Sequence, residues 1–180
     1  MSVLRLVLLI SLVTLTVSGQ QNSPQQPLVP PASCPVTILS ASQFTPPSPY
    51  ELSEKRFWLG TEKLFIAIRK SGEVWGWGPH EPGQEDQVQP LTTKTFWGSL
   101  DFNYREEYPP KLKVTGKRLD GEAPALLTLP ATNAFPGPAA AMLVGVYVPT
   151  PGCWEITGEY KGQKLSFVVW LQPVKQGNYV

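Results

Sequence analysis

The stretch PTPGCWEITGEYKGQKLSFVVW, Pro149–Trp170, decides how the rest of the chain is read. Successive side chains of a β-strand point to opposite sides of the sheet. Strand spacing therefore puts Trp154, Ile156, Gly158 and Tyr160 on one face and Cys153, Glu155, Thr157 and Glu159 on the other. Lys161-Gly-Gln-Lys164 reads as the turn, after which Leu165, Phe167 and Val169 alternate with Ser166, Val168 and Trp170. The faces bearing Trp154 and Ile156, and Leu165, Phe167 and Val169, are the core-facing sets, and Glu155, Thr157 and Glu159 face water. Pro149 and Pro151 precede the strand, where their missing N–H groups break no ladder.

The same pattern extends upstream. CPVTIL (34–39), KLFIAI (63–68), EVWGW (73–77), LTTKTFWGSLDF (91–102), KLKVTGKRL (111–119), PALLTL (124–129) and AMLVGVYV (141–148) read as short β-segments. Arg69-Lys-Ser-Gly72 reads as a hairpin turn between the second and third of these. No window carries a capped 3.6-residue apolar period, and 20 prolines and 15 glycines punctuate the chain. The predicted fold class is all-β: an immunoglobulin-like antiparallel β-sandwich of about seven to nine strands, with a barrel as the alternative.

The N-terminus predicts the compartment. One positive charge in Met1–Arg5, an apolar run over Leu6–Val17 and the small pair Ser18-Gly19 form the layout of a secretory signal peptide over residues 1–19. The apolar run is shorter than the roughly 20 residues that a membrane span needs. No cysteine follows it to carry a lipid anchor. The expected mature chain is secreted or periplasmic, with no membrane span after cleavage. Residues 20–33, QQNSPQQPLVPPAS, form a polar, proline-rich leader, residues 34–172 the sandwich domain and residues 173–180 a C-terminal tail. Without Arg5 the chain holds 14 basic and 14 acidic residues, so no basic stripe is available for nucleic acid.

CPVT near the mature start, GKRLDGEAP (116–124) and the Pro149–Val169 segment together resemble an uncharacterised exported bacterial family whose members carry a late Gly-Cys-Trp-Glu-Val-Thr-Gly hairpin. Gly60–Gly72 and Lys94-Thr-Phe-Trp97 are similar to the middle of that family. The resemblance implies an exported β-sandwich and brings over no catalytic residues. Many members of that family carry a lipid anchor, and this chain departs by lacking the anchoring cysteine.

Cys34 and Cys153 are the only cysteines, and in an exported chain such a pair is expected to be a disulfide. A reactive thiol needs a helix N-terminus or cationic neighbours, whereas Cys153 has Gly152, Trp154 and Glu155 beside it. Catalytic signals are absent: there is no Gly-x-Ser-x-Gly elbow and no phosphate-cradling loop. His80, the single histidine, lies in a polar loop with Glu81, Glu85 and Asp86 at spacings that match no metal motif. Glu106 and Glu107 are adjacent, so a strand would aim them to opposite faces, unlike a glycosidase pair. No catalytic residue, cofactor or metal site is assigned.

Binding is the remaining class. Six tryptophans and six tyrosines exceed what a small core requires. Trp75 and Trp77 share a face, and in each consecutive pair, Phe57–Trp58 and Phe96–Trp97, one ring must point away from the core. Exposed aromatic rings give large rigid contact surfaces. The expected function is a non-enzymatic binding or interaction module for an exported protein or envelope component, with Trp75, Trp77, Trp97 and Arg118 as candidate contacts. The alternative is a carbohydrate-binding module with a polysaccharide partner.

Overall fold

The computed structural model describes residues 30–38, 44–51, 56–69, 91–135 and 137–171. Nine antiparallel strands and no helix occur among them: β1 (Arg56–Thr61), β2 (Leu64–Arg69), β3 (Leu91–Gly98), β4 (Lys113–Arg118), β5 (Leu127–Thr128), β6 (Thr132–Ala134), β7 (Ala141–Val148), β8 (Gly152–Tyr160) and β9 (Gln163–Leu171). They form two sheets. The larger runs β1-β2-β3-β7-β5, with β6 also on β7, and the smaller runs β4-β8-β9. The chain is an all-β sandwich.

The terminal hairpin forms where its alternation places it, with a shorter turn than expected. Tyr160 pairs with Gln163, so the loop is only Lys161-Gly162. Both residues have positive φ, 47° and 79°, the backbone that a two-residue hairpin needs to match strand twist. Trp154, Ile156 and Tyr160 enter the core with Phe167, Val169 and Leu171, against Phe57, Ile66, Ile68, Trp97, Met142, Val144, Val146 and Val148 of the larger sheet. Gly158 is the contact where bulk is excluded: a Cβ there would stand 2.5 Å from the Trp97 ring. Trp97 is fully buried, at 0% exposure. Its indole N–H donates to Thr95 Oγ1 at 3.0 Å, and that hydroxyl donates to the Val144 carbonyl at 3.1 Å, so no buried donor goes unpaired.

Several expectations are corrected. Residues 34–38 form no strand of their own and hydrogen-bond to β9 through Thr37, whose N–H donates to the Val168 carbonyl at 2.9 Å while the Val168 N–H donates to Thr37 Oγ1 at 2.8 Å. β3 ends at Gly98, because Ser99 to Phe102 turn, with Leu100 donating to the Glu62 carbonyl at 2.9 Å. PALLTL shrinks to the two residues of β5. β1 and β6 are strands that the segment reading did not include, and β1 closes a hairpin with β2 over Glu62-Lys63. EVWGW, the signal-peptide segment and the C-terminal tail lie outside the described residues.

The disulfide is present between Cys34 and Cys153, with Cα atoms 5.6 Å apart. It lies outside the space between the sheets. Cys153 alternates with Trp154 and shares the outer face with Glu155, Thr157 and Glu159. The bridge therefore fastens the segment upstream of the domain onto the back of β8.

Candidate functional site: an aromatic groove on the outer face of the larger sheet

Alternation in the larger sheet sends one set of residues to the core and an unusual set outward. Phe57 is in the core, so Arg56 and Trp58 face out; Leu64, Ile66 and Ile68 are in the core, so Phe65 and Ala67 face out. With Trp97 inward, Phe96 and Gly98 face out, and with Met142 and Val144 inward, Ala141 and Leu143 do. The register aligns them in rows: Trp58 stands opposite Ala67 and Phe96 opposite Leu143, while Gly60, Phe65 and Gly98 follow one another across three strands. In a two-layer sandwich this face would normally be polar. Here it is polar at Arg56 and Lys94 but apolar over the patch formed by Trp58, Phe65, Ala67, Phe96, Ala141 and Leu143.

Residues 44–51 fold over part of it. Phe65 is fully buried beneath Phe44, Tyr50 and Trp58, with ring centroids 5.4, 5.0 and 5.3 Å away. Tyr50 also meets Trp58 edge-on at 6.1 Å. Each such pair contributes about 0.5–1.5 kcal/mol beyond burial. The Phe65 ring lies directly on Gly98, where a Cβ would collide with it. The Tyr50 hydroxyl donates to the Ala140 carbonyl at 3.1 Å, and burial pushes its pKa up, so it stays a neutral donor.

Beside this cluster the face stays open as a cavity of about 390 Å³, within the usual range of about 300–1,000 Å³ for small-ligand sites. Pro49, Ala67, Gly98, Ala139 and Ala141 are its small residues, and Tyr50, Trp58, Phe65, Phe96, Trp97 and Phe135 its aromatic ones. Phe135 is 62% exposed and stacks on Phe96 at 5.2 Å. Its φ of 54° is left-handed backbone, which is strained for a bulky residue and is found most often where surroundings or function hold it. Glu51 and Arg56 complete the lining. Both are exposed, and neither side chain has a hydrogen bond or ion pair among the described residues.

The candidate contacts from the sequence fare differently. Trp97 is a core residue; the outward ring of its pair is Phe96. Arg118 is half-buried, its Nε donating to Asp120 Oδ1 at 2.7 Å and its Nη1 to Thr150 Oγ1 at 3.4 Å. Burial pushes the Asp120 carboxyl up, but the Arg118 guanidinium and the Cys153 N–H outweigh it and hold the pKa below the ordinary value. A side chain at Gly152, whose φ is 138°, would run into Arg118, so this arginine is a local clamp between β4 and the start of β8. Trp75 and Trp77 lie outside the described residues, as do His80, Glu81, Glu85 and Asp86. Among the described residues no three His, Cys, Asp or Glu side chains converge as metal ligands. Glu107 is tied down, accepting from the Tyr160 hydroxyl at 2.8 Å and the Lys111 N–H at 2.8 Å, with Lys161 Nζ at 3.5 Å.

Trp58 and Phe96 were reachable from sequence through the parity of each aromatic pair, once the core member is known. Tyr50 and Phe135 sit on irregular backbone with no period to reveal them. No family model, no curated protein and no solved structure matches this chain.

Proposed function

We propose that the chain is an exported, immunoglobulin-like binding module without catalytic chemistry, and that its ligand seat is the aromatic groove on the larger sheet. The observation that carries this reading is the cavity itself: open rings over small residues on a sheet face that a self-sufficient sandwich would make polar. Export is supported by the signal-peptide layout of residues 1–19 and by the disulfide, which persists in oxidising compartments. The partner is an exported protein or envelope component.

The groove is tested with anilinonaphthalene sulfonate, a dye that brightens on entering apolar pockets. The folded protein should bind it at one saturable site, and Trp58→Ala and Phe135→Ala, checked for native melting behaviour, should weaken that site several-fold. No saturable signal, or signals from both variants equal to that of the unaltered protein, overturns the assignment.

A further inference from the structure

We infer that the occupant of the groove is a neutral sugar residue of a glycan. The inference rests on the groove being the ligand seat and adds the chemistry of the ligand. It follows from the two charged side chains that line the cavity. Arg56 offers only donors and Glu51 only acceptors, and neither is committed to a partner among the described residues. Both are exposed, so a purely apolar occupant would leave them to water and draw no hydrogen bond from either. An anion would be drawn to Arg56 and repelled by Glu51, and a cation the reverse. A hydroxyl donates and accepts, so a polyhydroxylated neutral ring can satisfy both groups at once. The same ring has C–H faces that are apolar and flat enough to lie on an aromatic side chain. The rings supply that surface: Phe135 is 62% exposed, and Trp58 and Tyr50 line the same cavity. The three alanines add little bulk to the cavity of about 390 Å³.

Trp97, singled out from sequence, is among the lining residues but is fully buried, so the inference rests on other rings and makes its own predictions. Isothermal titration and dye displacement are run with cellotriose, xylotriose, maltotriose, mannotriose and chitotriose. At least one should displace anilinonaphthalene sulfonate, with an affinity nearly independent of salt, since a neutral ligand has no charge to screen. Arg56→Ala and Glu51→Gln should each weaken the sugar roughly tenfold, whereas the dye, an anion, should weaken with the first and tighten with the second. Lys117→Ala, on the far sheet, should change neither. If the dye binds and none of the five sugars displaces it, the sugar assignment is overturned while the groove stands. Displacement by a peptide covering Gln20–Ser33, with the sugars inert, would replace it with a proline-rich ligand. If the dye itself fails to bind, both readings fall.

Discussion

The two outer faces of this sandwich solve the same problem in opposite ways. On the smaller sheet, cross-strand rows read Lys117–Glu155–Val168, Thr115–Thr157–Ser166 and Lys113–Glu159–Lys164. Lys117 and Glu155 pair at 3.1 Å, Lys164 and Glu159 at 3.3 Å, and the Thr157 and Ser166 hydroxyls meet at 2.7 Å. That face is at home in water. The larger sheet shows Trp58, Phe65, Ala67, Phe96 and Leu143 in the equivalent positions, and residues 44–51 cover only part of them. The difference separates a polar face from one that leaves aromatic rings uncovered.

The sharpest way to break this contrast is to compare two tryptophans one layer apart. Trp97→Ala removes a fully buried indole and the N–H that Thr95 Oγ1 accepts, and should cost about 3–5 kcal/mol in urea unfolding. Trp58→Ala, on the outer face, should cost clearly less while abolishing most of the groove's affinity. Equal stability losses would mean that the outer cluster is simply a second core. A middle-sized effect should come from acid. Burial pushes the Glu107 carboxyl up, but the Lys111 N–H, the Tyr160 hydroxyl and Lys161 outweigh it, so its folded pKa lies below the ordinary 4.5. A depressed carboxyl contributes fully above its unfolded pKa and loses that contribution as pH falls through the folded value. Stability measured by chemical unfolding should therefore drop below about pH 4.5, and Glu107→Gln should flatten part of that drop. A slope identical to wild type would remove Glu107 from the account. The smallest effect belongs to the polar face. Lys117→Ala breaks an exposed ion pair and should shift stability by less than about 1 kcal/mol, with a shift that shrinks in high salt.

The contrast also explains how much of the molecule could be read in advance. β8 and β9 have one wet and one dry face, so their alternation is clean and the terminal hairpin was legible almost residue by residue. β7 was legible to its ends. β1 was not, because Phe57, Trp58 and Leu59 run together: a strand covered on both sides loses its alternation. The feature that hid β1 is thus the feature that builds the groove. β6, Thr-Asn-Ala, has no strand composition at all and exists because Thr132, Asn133 and Ala134 find Leu143, Met142 and Ala141 across from them. The disulfide was legible from cysteine count and compartment. Its position on the back of β8 was not, since nothing in the spacing says which side of a strand its partner approaches from.

That position has a mechanical consequence. Cys34 and Cys153 are 119 residues apart in sequence, yet a pull applied upstream of Cys34 crosses the sulfur bridge and enters β8 directly. In a pull between the segment upstream of Cys34 and the segment beyond β9, the chain between the cysteines, which includes β1 to β7, is bypassed. β8 is the central strand of its sheet, held by β4 on one side and β9 on the other, so tension on a tethered molecule is shared by two hydrogen-bonded ladders. A load applied to the outer face of the larger sheet, by contrast, has to cross the core between the two sheets before it reaches β8.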